Sequence, residues 1–357
     1  PDTNHSGTLA EGIALWHERK KTLRIDEVTA RAKEAIRRHI AHGVLYLRSH
    51  VDVTDPSLTA LRALLALKKE LPAGMVLQLV AFPQDGIFGV DHGPELMEEA
   101  MRLGADVVGG IPHYEWTREE GVQDVRFAFD LARKYHALVD IHCDETDDDQ
   151  SRFTETMAKL TWDWHWAGRV TASHATAMGS YNDAYAAKLI RLIKTAGMHI
   201  VANPLDNIVL QGRYDSYPKR RGMTRVKELL QAGVVVAAGH DSIQDPWYPW
   251  GTANPLFVAA MLAHIGHLTG SDDVPDVLAT VMNNAARVMR LADYPLIIQE
   301  GQPASFVVYT VPTLDDLLRL MPKPRWVMAK GQLLAETVPE KTHVAWTDNV
   351  WQSVKFF

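Results

Sequence analysis

Seven times along the chain a β-branched run is followed by a polar loop and an amphipathic helix, and this repetition constrains the fold more than any other feature. The runs are Val44–His50, Val76–Phe82, Asp106–Ile111, Leu138–His142, Val170–His174, His199–Asn203 and Val234–His240. They are apolar without strict alternation, as strands buried on both faces of a parallel sheet are. The stretches between them have helical spacing: Ile25, Val28, Ala32, Ile36 and Ile40 fall on one face, with Arg and Lys opposite. Alternating strand and helix implies a parallel α/β fold. Seven consecutive units within 357 residues favour a (β/α)8 TIM barrel over an open sheet.

A barrel of this kind needs eight strands. The first run follows a long polar and helical lead-in, residues 1–43, so strand one is expected upstream of Pro1. After about Ala292 the pattern changes. Ala304–Tyr309 and Arg325–Ala329 read as short strands, with turn signals at Gly301-Gln302-Pro303 and Lys330-Gly331. The expected organisation is a catalytic barrel over 1–292 that lacks strand one, and a small β appendage over 293–357.

Composition narrows the function. Hydrophobic residues at 46% and charged residues at 23% suit a soluble protein with a large core. Lys+Arg 37 against Asp+Glu 44 leaves a net charge of −7, and the most basic stretch, Lys219-Arg220-Arg221, is short. Nucleic acid is therefore not an expected partner. Cys143 is the only cysteine, which excludes an intrachain disulfide, cysteine-rich zinc modules and the deaminases with a paired-cysteine zinc site. No apolar run approaches the ~18 residues of a membrane span, and 1–6 lacks the basic-then-apolar pattern of a signal peptide. A cytoplasmic setting is expected, with no membrane association.

In such barrels the chemistry sits at the C-terminal ends of the strands. The polar residues at those ends are His50 and Asp52, Gln84, His113 and Glu115, His142, Asp144 and Glu145, His174, Asn203, and His240 with Asp241. Neutral imidazole is the commonest ligand for zinc and iron, which makes His142 a metal-ligand candidate beside His174 and Asp241. Asp241 suits a ligand that also takes a proton from water, or alternatively a helix N-cap. Glu145 leads an acidic loop, Asp147-Asp148-Asp149, whose run reads as solvated surface or capping. Nearest the strand, Glu145 is the general-acid candidate, since burial raises a carboxyl's pKa and lets it carry a proton. Gln84 offers an amide donor and acceptor to a ring edge. His50 and Asp52 read as support behind the ligands, and Cys143 as buried.

These residues and their neighbours resemble the bacterial cytosine deaminase family of the amidohydrolase superfamily. The segments that carry the likeness include Ser6-Gly7-Thr8-Leu9, Arg48-Ser49-His50-Val51-Asp52-Val53, Val80-Ala81-Phe82-Pro83-Gln84 and Gly104-Ala105-Asp106-Val107-Val108-Gly109. They continue through His142-Cys143-Asp144-Glu145, Ser173-His174, Asn203-Pro204-Leu205 and Gln211-Gly212-Arg213. They end with Tyr217-Pro218-Lys219-Arg220-Arg221-Gly222, Gly239-His240-Asp241 and Asp245-Pro246-Trp247-Tyr248-Pro249. The ordered match covers nearly the whole chain. It implies a barrel holding one divalent metal, Fe²⁺ or Zn²⁺, with a small β-sandwich built from both chain ends, and a homo-oligomer. His142 then resembles the metal ligand on strand five and Asp241 the one on strand eight. His174 resembles the strand-six histidine that contacts the activated water or the reacting carbon. Glu145 resembles the residue that protonates the ring nitrogen, Gln84 the clamp on the far edge of a pyrimidine, and Trp247 a wall of the pocket.

Two departures stand out. The family's His-x-His pair at the end of strand one has no counterpart, so both ligands are expected upstream of Pro1. The family also reads His-Asp-Asp where this chain has His240-Asp241-Ser242. Serine is smaller and uncharged, so it leaves room beside the amino group and C5 edge of the substrate. The resulting expectation is hydrolytic deamination of a free pyrimidine base, cytosine or a 5-substituted cytosine such as 5-methylcytosine. The same machinery acting on isocytosine, isoguanine, creatinine or an amino-triazine is the alternative, and a non-catalytic barrel the remote one.

Overall fold

The computed structural model describes residues 3–292, 294, 297–347, 350–354 and 356. Each expected run forms a strand: β1 (Tyr46–Asp52), β2 (Val76–Phe82), β3 (Val107–Val108), β4 (Leu138–Cys143), β5 (Val170–His174), β6 (His199–Ala202) and β7 (Val236–Ala238). All seven lie parallel in sequence order, with β1 and β7 at the edges, and make a barrel open on one side. Leu79, Val80, Val107, Val139, Ile141, Val170, Ala172, Ile200 and Val236 have no exposed surface, which is why these strands show no alternation.

Strand β3 is much shorter than expected because two glycines follow it. A Cβ on Gly109 would lie 2.6 Å from Ala81 O, and one on Gly110 would lie 2.5 Å from Asp124 Oδ1. That close approach packs the loop against β2, and backbone bonds run on past the strand end, from Gly109 N to Ala81 O at 2.8 Å and from His142 N to Gly110 O at 3.0 Å.

Two helices precede β1. Helix α1 (Leu9–Lys20) is capped by Thr8, whose hydroxyl accepts from Glu11 N. It lies across the opening between the sheet edges. Trp16 Nε1 donates to Asp52 Oδ2 at the end of β1, at 2.7 Å, and Asn4 Nδ2 donates to Pro246 O in the loop after β7, at 2.8 Å. Helix α2 (Ile25–Ala41) buries Val28, Ile36 and Ile40 as its spacing predicts. Ile25 departs from that expectation: at the first helical position it is 52% exposed, ahead of the turn where the buried face begins.

Inside the barrel, Arg48 on β1 spans the interior to Asp140 on β4, at 2.7 Å, and also donates to Gln78 Oε1 and Val288 O. Asp140 in turn accepts from Ser173 Oγ on β5, at 2.6 Å. This polar layer ties four strands, β1, β2, β4 and β5, beneath the C-terminal strand ends.

The tail carries β8 (Phe306–Val308), β9 (Trp326–Ala329) and β10 (Gln332–Glu336), an antiparallel sheet with β9 in the middle. Lys330 and Gly331, with φ of 45° and 82°, make the tight turn between β9 and β10. A separate hairpin pairs β11 (Thr342–Thr347) with β12 (Val350–Val354). These antiparallel sheets are the expected appendage; its boundary at 292/293 falls beside Asp293, which lies outside the described residues. Among the described residues no helix is long and apolar enough to cross a membrane.

Candidate active site

The strand ends converge on a cavity of about 1480 Å³ lined by His50, Gln84, His113, His142, Glu145, His174, Asn203, Asp206, Asp241, Ser242 and Trp247, among others. Strands β4 and β5 pair in register, Cys143 opposite His174, which sets the His142 and His174 rings 4.5 Å apart. His50 from β1 lies on another side of His142, also at 4.5 Å between centroids, and Phe82 closes on the same ring at 4.2 Å.

Two members of this cluster have unusual backbones. His174 has φ 69° and Asp241 φ 66°, left-handed values that a non-glycine residue adopts only where surrounding structure holds it. The turn after β5 is held by Ala175 N donating to Cys143 O, at 2.9 Å. Asp144 fixes the loop that carries Glu145. Its buried carboxylate accepts from Ser151 Oγ, Phe153 N, Thr154 N and Thr154 Oγ1 and so caps the following helix.

Around His174 the groups are close. Its Nδ1 is 3.1 Å from Glu145 Oε1, and its Nε2 is 3.8 Å from Asp241 Oδ2. Asn207 Nδ2 donates to His174 Nδ1 at 2.9 Å and to Glu145 Oε1 at 3.3 Å. Asn203 Nδ2 is 3.3 and 3.2 Å from the two ring nitrogens. Because it is almost equidistant, it lies over the ring face rather than along either lone pair. Burial, with the charge of Asp241 added, pushes the Glu145 carboxyl well above the carboxylate range. Burial also takes Asp241 up to about 7 and His174 down to about 3, and it holds His142 neutral.

The donor atoms of His142, His174 and Asp241 all lie within 4.8 Å of one another. His142 Nδ1 is buried without a hydrogen-bond partner. Neutral imidazole nitrogens facing a carboxylate that burial makes costly to ionise are a donor set that a divalent cation fits, since its charge offsets that cost.

The remaining sequence candidates line the same cavity in different ways. Ser242 is buried, and its hydroxyl donates to Asp206 Oδ2 at 2.5 Å. Trp247 is half-buried against Trp16 of α1, ring centroids 6.0 Å apart. Gln84 lies in the wall. His50 Nε2 is 3.6 Å from Asp140 Oδ1, whereas Asp52 turns toward α1 through Trp16 and Lys20. Asp148 and Asp149 are exposed and Cys143 is fully buried, both as read from the sequence. Sequence reasoning missed Asp206 and Asn207. They occupy a short helix, Pro204–Leu210, directly after Asn203 at the end of β6. The Pro at its first turn marked a helix start but not which face meets the cavity.

A model of the family described as "Amidohydrolase family" matches residues 2–335. The crystal structure of 5-methylcytosine deaminase from Klebsiella pneumoniae, liganded with 5-fluorocytosine, superposes with a TM-score of 0.93 at 46% sequence identity, covering 97% of this chain and 83% of that one. A pterin deaminase of Rhizobium rhizogenes is 27% identical over 95% of this chain and 76% of its own. An N-isopropylammelide isopropyl amidohydrolase of Pseudomonas sp. is 28% identical over 79% of this chain and 67% of its own. An open parallel barrel whose strand ends gather imidazoles and carboxyls, matched along nearly its full length, makes the chain a member of the amidohydrolase family and a hydrolase of carbon–nitrogen bonds.

Proposed function

We propose that the protein deaminates a free pyrimidine base by hydrolysis, with cytosine or a 5-substituted cytosine such as 5-methylcytosine giving uracil or thymine plus ammonia. The observation that carries this reading is His174 set between a buried Glu145 at 3.1 Å and Asp241 at 3.8 Å, beside His142. The 46% identity with a 5-methylcytosine deaminase supports the choice of ring.

His142 and Asp241 would hold one divalent ion, Fe²⁺ or Zn²⁺, whose chemistry is to lower the pKa of water so that hydroxide is available near neutral pH. Asp241 accepts the proton that the water loses. Glu145, kept neutral by burial, protonates the ring nitrogen next to the reacting carbon, which makes C4 electrophilic. His174 donates to the oxygen as it becomes anionic at the tetrahedral carbon. The first proton from water passes to the amino group, which leaves as ammonia, and the remaining hydroxyl proton returns to Glu145 as the C4 carbonyl forms. Gln84 clamps the far ring edge, Trp247 walls the cavity, and Ser242 leaves room beside C5. The enzyme works in the cytoplasm as a homo-oligomer on a small-molecule nucleobase.

Ammonia release from cytosine, 5-methylcytosine and isocytosine by the metal-loaded protein tests this. Turnover of either of the first two is expected. Release only from isocytosine, isoguanine, creatinine or an amino-triazine would keep the chemistry and replace the substrate. No release from any ring would overturn the reading.

A further inference from the structure

Asp206 has an environment that fold stability does not account for. It is 1% exposed, and the Ser242 hydroxyl is its only hydrogen-bond partner among the described residues. Its Oδ1 is buried with no partner at all. A buried carboxyl held this way is costly, and an apolar side chain of similar size would pack there without that cost. An unpaired buried acid in the wall of a cavity therefore calls for a functional account. Burial, reinforced by the charge of Asp241, raises its pKa well above the usual value.

Its one bond reaches an informative partner. Ser242 directly follows Asp241, whose carboxylate is part of the candidate metal cluster, and it lies 36 residues along the chain from Asp206. The Pro204–Leu210 helix and the loop after β7 thus meet through a short O···O contact beside the apolar packing of Leu205 and Tyr248. A serine hydroxyl left free rotates among three staggered positions. Tied to Asp206 at 2.5 Å, this one is held in the cavity wall.

We propose that Asp206 is a positioning residue that sets the preference for 5-substituted rings, by holding the Ser242 hydroxyl out of the space that a C5 substituent fills. The inference rests on the deaminase reading above and deepens it. Asp206 touches no reacting atom; it acts through Ser242 alone.

The test compares kcat/KM for 5-methylcytosine and cytosine in the metal-loaded wild type, Asp206→Ala and Asp206→Asn, with metal content and thermal unfolding measured for each. The wild type is expected to prefer 5-methylcytosine, within the roughly 10–200-fold that one methyl group supports. Asp206→Ala removes that short contact, leaves Asp245 as the neighbouring carboxyl, and is expected to shrink the preference by about tenfold. Asp206→Asn keeps a partner for the hydroxyl and is expected to retain most of it. Equal losses on both bases in Asp206→Ala would show a merely structural residue and overturn the proposal. So would Asp206→Asn losing the preference as fully as Asp206→Ala. A wild type that prefers cytosine overturns it while the deaminase reading stands, and a wild type that deaminates neither base overturns both.

Discussion

Asn207 donates its side-chain N–H to His174 Nδ1 at 2.9 Å, so the imidazole proton sits on the other nitrogen, Nε2, which faces Asp241. This bond selects a tautomer. In the proposed reaction, this tautomer presents Nε2–H to the developing negative charge and leaves ion binding to His142 and Asp241. Asn207→Asp replaces the donor with an acceptor and moves the ring proton to Nδ1. The expected result is a loss of roughly 10²–10³-fold in kcat, comparable to removing one donor from an oxyanion site, with metal content equal to or above wild type. Unchanged kcat would show that the tautomer is not set by Asn207.

Glu145 supplies the ring proton in the proposed reaction. Glu145→Gln keeps the size and the Asn207 neighbourhood but carries no transferable proton. A fall in kcat of roughly 10²–10⁴-fold is expected, with bound metal near the wild-type amount. Retained turnover would remove Glu145 from its role.

Metal dependence is tested by withdrawal and return. A chelator is expected to abolish ammonia release, and Fe²⁺ or Zn²⁺ to restore it, the better of the two indicating the native ion. His142→Ala is expected to lower bound metal as well as activity, which separates loss of a ligand from loss of an acid. Full activity in the presence of a strong chelator would reject a metal mechanism.

Arg48 and Asp140 predict a stability effect remote from catalysis. Their side chains are 7% and 2% exposed. Burial alone would raise Asp140, but the charges of His50 and Arg48 hold it below the usual carboxylate range. Arg48→Met leaves that buried carboxylate without its guanidinium partner, with Ser173 Oγ and His50 beside it, and a loss of about 3–5 kcal/mol is expected. The urea midpoint of unfolding reads it. A midpoint shift equivalent to less than 1 kcal/mol would mean that water or His50 compensates for the missing guanidinium.

The barrel strands were legible because burial on both faces leaves a largely apolar run, unbroken from Leu79 to Phe82. Strands β10 and β12 gave no such signal. Leu333 is 51% exposed and Trp351 66% exposed, so neither a continuous run nor a clean alternation marks them. At the site, His142, His174 and Asp241 could be found because each sits at or beside a strand end, where local pattern gives position. Asp206 and Asn207 could not. Their partners lie 36 and 33 residues away, and within Asn203-Pro204-Leu205-Asp206-Asn207 they look like the polar first turn of any helix. The family likeness pointed to Ser242 as an added space; the carboxyl bonded to it comes from another element and only packing reveals it.

Helix α1 reaches the cavity from the far end of the chain: Asn4 and Pro246, joined by one hydrogen bond, are 242 residues apart. During synthesis this helix emerges long before the loop that seats it. Trp16 and Trp247, which meet in the finished protein, are therefore unmatched while every strand between them is made. Contacts of such long range form late because the intervening chain must first be ordered. The roof over the site is thus completed only once the loop carrying Pro246 and Trp247 has been made, after every strand of the seven-stranded sheet.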